Sequence, residues 1–205
     1  MRTLRIFATL AVCATVLVLG GCNKGNDKAS KSGKSADDVR LSQEPVSVPN
    51  IYEAVKAGNL EDTRRFLARG AGVNSFDADG YTPLHYAAAG GFTQVAKALL
   101  DKGADVNMVT QDGITPLHSA SMGGDAPTAT LLLERGAKVL AQDNNGMTPL
   151  HTAALKNNQP VAEVLIQHGA DVNFMTKTQW TPIRVAQYGN HPDFIALLQR
   201  HGATQ

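Results

Sequence analysis

The chain has 205 residues, of which 43% are hydrophobic and 18% are charged, and its formal net charge is +1. Nineteen basic and eighteen acidic side chains exclude a polybasic nucleic-acid-binding protein and an acidic solvating tail. Two cysteines exclude a disulfide-dense scaffold and a zinc site built from several cysteines. Because only the first part of the chain is continuously apolar, the sequence also argues against several membrane spans.

The N-terminal residues have the pattern of a targeting signal. Two arginines precede an apolar stretch at residues 6–19, which is shorter than the roughly 20 residues of a membrane-spanning helix. Residues 19–22 (LGGC) then resemble the lipobox of bacterial lipoproteins, in which two small residues precede a cysteine. The resemblance implies that residues 1–21 are removed and that Cys22 is acylated, which anchors the chain to a membrane. The alternative is an ordinary signal peptide that contains a cysteine by chance.

A polar segment separates this signal from the rest of the chain. Residues 23–48 are rich in lysine, serine, glycine and aspartate and contain no aromatic residue, so we expect a flexible tether. In lipoproteins an aspartate after the cysteine favours retention in the inner membrane, whereas this chain has Asn23. The resemblance therefore implies the periplasmic face of the bacterial envelope, at the outer rather than the inner membrane. The predicted regions are a signal peptide (1–21), the lipidated cysteine with its tether (22–48) and a folded domain (49–205).

A repeat with a period of 33 residues fills the predicted domain. Thr-Pro-Leu-His begins at residues 82, 115 and 148, and Thr-Pro-Ile-Arg begins at residue 181. This period and signature resemble ankyrin repeats. The resemblance implies an all-α solenoid of about five helix-turn-helix units joined by β-hairpin-like turns. The predicted units cover residues 49–78, 79–111, 112–144, 145–177 and 178–205.

Each unit contains the local signals of a helix pair. Threonine is a good N-cap, and the proline after it suits the first helical position, where its missing N–H costs nothing. A glycine such as Gly103 ends the second helix, and Asp-Gly or Asn-Gly forms the turn to the next unit. The first unit lacks Thr-Pro-Leu-His, as expected of a terminal capping unit.

Three histidines at the same repeat position, His85, His118 and His151, suggest a metal site at first sight. Stacked helices lie about 10 Å apart, which is too far for ligands that bind one zinc ion at about 2 Å. The resemblance implies instead that these histidines bond backbone and threonine hydroxyl groups at the turns. The sequence also lacks G-x-S-x-G, H-E-x-x-H and G-x-x-x-x-G-K patterns, so we expect no catalytic residue, cofactor or metal.

Two positions that vary between the units form the candidate partner-binding site. The first position, directly before each Thr-Pro, is occupied by Tyr81, Ile114, Met147 and Trp180. The second, near the end of the first helix, is occupied in the last three units by Met122, Leu155 and Tyr188. We expect these side chains to line an apolar stripe, because aromatic residues and methionine are enriched at interface centres. The alternative is that they pack, half-buried, against the neighbouring turn. The predicted polar rim includes Asp79, Asp112, Asn145 and Lys177.

The fourth turn departs from the repeat pattern. Gln179 stands where the other turns have glycine, and Arg184 replaces the repeated histidine. We therefore expect this turn to be reshaped, with Trp180 as the main anchor for a partner. Leu140 also stands where three other units have asparagine, so we expect a looser junction after the third unit.

The leading functional hypothesis is a non-enzymatic, monomeric protein-interaction module that is anchored to the membrane and binds a periplasmic or envelope protein. Some periplasmic ankyrin proteins that this chain resembles support antioxidant enzymes such as catalase, which implies an accessory role in oxidative-stress defence. Two alternatives are an exported effector that binds host proteins and a structural lipoprotein that binds peptidoglycan. We expect no nucleic-acid partner.

Overall fold

The computed structural model describes residues 35–204. The predicted signal peptide, Cys22 and the first part of the predicted tether lie outside these residues. Within the described range the chain is helical and contains no β-strand. The helices are α1 (Ala36–Gln43), α2 (Ile51–Lys56), α3 (Leu60–Ala68), α4 (Pro83–Ala89), α5 (Thr93–Asp101), α6 (Pro116–Gly123), α7 (Ala126–Glu134), α8 (Pro149–Lys156), α9 (Gln159–Gln167), α10 (Pro182–Tyr188) and α11 (Pro192–Arg200).

Helices α2 to α11 form five consecutive pairs, and each pair is one unit of the solenoid. The first helices α2, α4, α6, α8 and α10 contact one another in chain order, and the second helices α3, α5, α7 and α9 do the same. Each first helix also packs against the second helix of its own unit. The predicted all-α repeat solenoid is confirmed.

The starts of the first helices follow from the Thr-Pro sequence. Thr82, Thr115, Thr148 and Thr181 are N-cap residues with extended backbones, and a proline follows each of them inside the helix. In the second to fourth units the histidine side chain returns to the backbone of the capping threonine and completes a capping box. Both ends of this contact lie within four residues, so the helix starts are specified locally.

The core has the same composition from the second unit to the fifth. A leucine or isoleucine of the first helix and a leucine of the second are fully buried, while small alanines line the contacts between first helices. The close approach of α6 to α4 requires glycine, since a Cβ atom on Gly123 would lie 2.1 Å from the carbonyl oxygen of Ala89. No unit buries its apolar residues alone, so each depends on its neighbours for stability.

One part of the predicted flexible tether is helical. Residues 36–43 form helix α1, which packs against α3. Its polar composition predicts disorder because it offers little apolar surface to bury, and in the structure none of its residues is buried. Ion pairs hold it in place: Glu44 pairs with Arg65 at 2.9 Å, and Asp38 pairs with Lys102 at 2.6 Å. Among residues 35–204, none of the helices is both long and apolar enough to cross a membrane.

Candidate functional site

A tight turn precedes the first helix in each of the last four units. In the turn at residues 77–81, the N–H of Asp77 donates to the carbonyl of Tyr81 at 3.0 Å, and the N–H of Gly80 donates to the carbonyl of Asp77 at 3.1 Å. The turns at residues 110–114, 143–147 and 176–180 repeat both bonds. The last residue of each turn therefore has the same backbone hydrogen bonds in all four of these units, and it is the residue before Thr-Pro.

The expectation that the fourth turn is reshaped is wrong. Gln179 has a φ of 62°, in the left-handed region that Gly80, Gly113 and Gly146 occupy in the other turns. Its N–H donates to the carbonyl of Thr176 at 2.9 Å, as the glycine does elsewhere. The guanidinium of Arg184 donates to the carbonyl of Gln179 at 2.8 Å and helps to hold this conformation. Glutamine thus adopts the glycine conformation, and the turn keeps its shape.

The three repeated histidines connect each turn to the unit before it. Nδ1 of His85 accepts from the backbone N–H of Thr82 at 3.2 Å and lies 2.8 Å from its hydroxyl, so the proton of the neutral ring is on Nε2. Nε2 then donates to the carbonyl of Ile114, at 3.0 Å. His118 and His151 make the same bonds to Met147 and Trp180. The histidines therefore fix the residues that precede Thr-Pro.

Burial lowers the pKa of His85, His118 and His151 below the ordinary value of 6.5. Backbone hydrogen bonds and the carboxylates of Asp77 and Asp143 act in the opposite direction but do not overcome it. The rings are therefore neutral at pH 7, as an accepting Nδ1 requires. In the part of the chain that the structure describes, no three acidic, histidine or cysteine side chains are grouped as metal ligands would be.

The structure brings four of the predicted stripe residues into one pocket of about 280 Å³. Met147, Leu155, Trp180 and Tyr188 line it, and its wall is completed by Asn145, Thr176, Thr178 and Val185. The rings of Trp180 and Tyr188 meet edge to face, with centroids 5.7 Å apart. Trp180 is 39% exposed and Tyr188 is 77% exposed, so the fold leaves a large aromatic surface uncovered here. We call this site, between the fourth and fifth units, the apolar pocket.

The remaining predicted stripe residues lie outside the apolar pocket. Tyr81 and Ile114 are half-buried, as the alternative interpretation expects, and the ring of Tyr81 packs 5.6 Å from that of Tyr86. Met122 is exposed on the third unit. The predicted rim is also divided. Asn145 lines the apolar pocket and Lys177 lines a neighbouring depression, whereas Asp79 and Asp112 are exposed on the first two turns.

A larger depression of about 450 Å³ lies against α1 and has a different character. Charged side chains dominate its lining, and several of them are paired within the chain. Lys102 binds Asp38, and Asp101 binds both Lys97 and Arg135. This depression therefore belongs to the docking of α1, and the apolar pocket is the better candidate for a partner.

Comparison with known families agrees with this architecture. A family model described as ankyrin repeats in three copies matches residues 51–143 and 138–205. The chain belongs to the ankyrin-repeat family. As an ankyrin-repeat protein it fits a protein-interaction module, and this family suggests a non-enzymatic role.

Curated relatives cover a small part of this ankyrin-repeat chain. It is 36% identical over 53 residues to protein phosphatase 1 regulatory subunit 27 of Mus musculus and of Homo sapiens, and this match covers 26% of the chain. It is 38% identical over 48 residues to an ankyrin repeat protein of Fowlpox virus (strain NVSL), covering 23% of the chain. The chain spans about a third of the length of these relatives, at 34% in each case.

Sequence reasoning missed a second row of exposed apolar side chains on the ankyrin repeats. Phe76, Val109 and Met175 each precede a turn, and at least half of each residue is exposed. Gln142 occupies the same position in the remaining unit. Their spacing of 33 residues, or twice that, is visible in the sequence and provides the signal that would have found them.

Proposed function

We propose that this chain is a non-enzymatic binding module that recognises a protein through the apolar pocket. The observation that carries this proposal is the uncovered aromatic pair Trp180 and Tyr188, beside Met147 and Leu155. Aromatic side chains that stay exposed in the free protein commonly anchor a partner at the centre of an interface. A volume of about 280 Å³ suits one or two side chains of that partner.

The setting of the pocket supports recognition without large rearrangement. The backbone carbonyls of Met147 and Trp180 are bonded to His118 and His151 of the preceding units. Leu155 and Tyr188 project from helices whose other faces are buried in the solenoid. A surface held in this way loses little conformational entropy on binding, which favours affinity.

The proposed place of action is the periplasmic face of the cell envelope, with Cys22 acylated and the chain held at the outer membrane. The lipobox resemblance and Asn23 support this location. A lipid anchor raises the local concentration of the module near membrane-associated partners. Its similarity to regulatory subunits of protein phosphatase 1 supports a partner that is an enzyme. We propose an accessory role to a periplasmic enzyme, with antioxidant enzymes as the first class to test.

Crosslinking in intact cells tests the binding proposal. Partners of the wild-type chain are compared with those of a Trp180→Ser, Tyr188→Ser variant and of Phe76→Ser, which removes an exposed aromatic side chain from the first unit. We expect a protein that wild type and Phe76→Ser retain and that the double variant loses, while circular dichroism stays unchanged. Identical partners for all three folded proteins would show that the pocket is not the binding site.

A separate experiment tests the anchor. Cells that express the wild-type chain or Cys22→Ser are grown with radiolabelled palmitate, and their membranes are separated by density. We expect label in the wild-type chain at the outer membrane, and neither label nor membrane association in Cys22→Ser. An unlabelled wild-type chain would reject the lipid anchor without affecting the proposal for the pocket.

A further inference from the structure

We propose that the apolar pocket takes an acidic segment of its partner, in which one bulky apolar side chain is flanked by carboxylates. This inference rests on the binding function proposed above and specifies the chemistry of the partner.

The charge of the turns changes sign along the solenoid. The turn at residues 77–81 contains two aspartates, and those at 110–114 and 143–147 contain one each. The turn at residues 176–180 contains no acid and has Lys177. Helices α4 and α6 contain no charged side chain, whereas α8 ends with Lys156 and α10 contains Arg184. On the turns and first helices, positive charge therefore collects in the two units that form the apolar pocket.

Among residues 35–204, the cations of these turns and first helices form no ion pair with an acid. The ion pairs found among residues 35–204 involve other lysines and arginines, and none includes Lys156, Lys177 or Arg184. The guanidinium of Arg184 donates to a backbone carbonyl, which leaves its charge uncompensated. Clustered charges of one sign raise the local concentration of oppositely charged ligands.

Among the residues that line the apolar pocket and the two depressions next to it, one is an acid, Asp143, and the turn itself uses it. Oδ1 of Asp143 accepts from the backbone N–H groups of Asn145 at 2.9 Å and Met147 at 2.8 Å. Oδ1 is therefore occupied by backbone donors of the turn at residues 143–147. The fourth turn, with Lys177, has threonine at the corresponding position, so Thr176 makes the equivalent bond with a neutral hydroxyl. The net charge beside the pocket is therefore positive.

The cations lie around the apolar lining. Lys177 shares a depression with Asn145 and Thr178, both of which also line the apolar pocket. Arg184 shares another, of about 430 Å³, with Trp180 and Tyr188. An apolar side chain seated in the pocket would therefore have cations on at least two sides. Carboxylates next to that side chain complement this arrangement and would accept hydrogen bonds from the guanidinium.

The single tryptophan makes the test direct. Trp180 is the only tryptophan of the chain, so tryptophan fluorescence, excited where tyrosine does not absorb, reports on the apolar pocket alone. The full-length chain is titrated with three synthetic peptides of equal length: phenylalanine flanked by glutamates, serine flanked by glutamates, and phenylalanine flanked by lysines. We expect a saturable change with the first peptide and about tenfold weaker binding, or none, with the other two.

Matched variants separate the two parts of the recognition. Lys177→Glu should weaken binding of the acidic peptide by about three- to tenfold, and this loss should shrink at high salt. Lys138→Glu makes the same change of charge at an exposed residue that lines none of these depressions and should leave binding unchanged. Tyr188→Ser should weaken binding by about tenfold, whereas Phe76→Ser should not.

Other outcomes overturn the inference without confusing it with the proposed function. Tighter binding of the lysine-flanked peptide would show that the pocket binds a segment of the opposite charge. Tighter binding of a thymidine oligonucleotide would show that the aromatic pair and the cations form a stacking site for nucleic acid. If no peptide binds, the inference fails. The cellular crosslinking experiment then decides separately whether the pocket binds a protein.

Discussion

At the scale of single residues, Gln179 shows how the hydrogen bonds of a turn override a local preference. Its φ of 62° is one that glycine adopts without strain, whereas a side chain with a Cβ atom pays roughly 1–3 kcal/mol there. We predict that Gln179→Gly raises the free energy of unfolding by about 1 kcal/mol, at the low end of that range. Urea denaturation followed by circular dichroism measures the change.

The converse substitution provides the control for this prediction. A Cβ atom on Gly80 would lie 3.5 Å from Cγ of Gln111, which is an ordinary contact, so Gly80→Ala changes little except backbone strain. We expect it to lower the free energy of unfolding by about 1 kcal/mol. If Gln179→Gly has no effect while Gly80→Ala destabilises, then the side chain of Gln179 itself stabilises the fourth turn.

At the scale of whole elements, a repeated asparagine clamps neighbouring units together. The side-chain amide of Asn74 donates to the carbonyl of Gly103 at 3.2 Å, and its oxygen accepts from the N–H of Asp105 at 2.8 Å. Asn107 and Asn173 make the same two bonds at their own junctions. Leu140 holds this position in the third unit and is exposed, so the junction after that unit lacks the clamp.

Replacing Leu140 by asparagine should restore the missing clamp. We predict that Leu140→Asn raises the free energy of unfolding by about 1 kcal/mol, the usual net contribution of one or two hydrogen bonds. Asn107→Leu, which removes an existing clamp, should lower it by a similar amount. Both values come from urea denaturation. A destabilised Leu140→Asn protein would mean that the side chain of Leu140 is packed more favourably than its exposure indicates.

The junction after the third unit has other connections that the sequence pattern does not reveal. The side-chain amide of Asn158 donates to the carbonyls of Ser121 and Met122, at 2.7 and 3.1 Å. Asn144 bonds the preceding turn through its backbone and its side chain. The missing clamp is therefore real, but whether this junction is looser than the others stays a prediction.

Asp62 links α3 to the segment that follows α1. Its buried carboxylate accepts from the backbone N–H of Ser47 at 2.9 Å and from the hydroxyl of the same residue, and it pairs with Arg65 at 2.9 Å. The Ser47 bonds, followed by the contact with Arg65, hold the pKa of Asp62 below its ordinary value. The carboxylate is thus charged and fully used at neutral pH.

Removing this carboxylate should release the segment before the first unit. We predict that Asp62→Ala costs about 2 kcal/mol of unfolding free energy, because it leaves several donors without an acceptor. Hydrogen exchange of residues 36–48 should become faster than in wild type. The control is Glu61→Ala, which breaks an exposed ion pair with Arg64 and should change stability by less than about 0.5 kcal/mol. Unchanged exchange in Asp62→Ala would show that α1 is held by other contacts.

At the scale of the whole molecule, the repeat itself could be predicted because its signals are local. A capping threonine, a proline and a returning histidine lie within four residues of one another, and the same set recurs every 33 residues. The docking of α1 could not be predicted in this way. Its contacts join Glu44 to Arg65 and Asp38 to Lys102, and the members of the second pair are 64 residues apart. Composition describes such a segment but not its distant partners.

The candidate site was predictable in position but not in exposure. The repeat places Tyr81, Met147 and Trp180 at the same point of their turns, and that much follows from the spacing. Whether the side chain at this point is exposed to solvent depends on the residues of the helix that follows it. Tyr86 covers Tyr81 in the second unit, whereas the fifth unit offers Tyr188, which leaves Trp180 accessible. These neighbours differ between units, so periodicity cannot determine the outcome.

The three repeated histidines make the stability of the whole solenoid depend on pH. Because burial holds each folded-state pKa below the ordinary 6.5, the unfolded chain binds more protons than the folded chain between these two values. The stabilisation is therefore complete above the unfolded pKa and is lost as the pH falls towards the folded one. Protonation would also place an N–H on Nδ1, opposite the N–H of the capping threonine.

We predict that the free energy of unfolding falls between about pH 7 and pH 5, by up to roughly 1.4 kcal/mol per pH unit for each histidine. The carboxylates of Asp38, Asp62, Asp77 and Asp101 have lowered pKa values, so their contributions are lost below 3.8, outside this range. Urea denaturation at several pH values measures the slope. His118→Gln should be less stable at pH 7 but should lose stability less steeply, by about a third, since one of three similar groups is removed. An equal slope in wild type and variant would mean that the histidines do not couple the fold to pH.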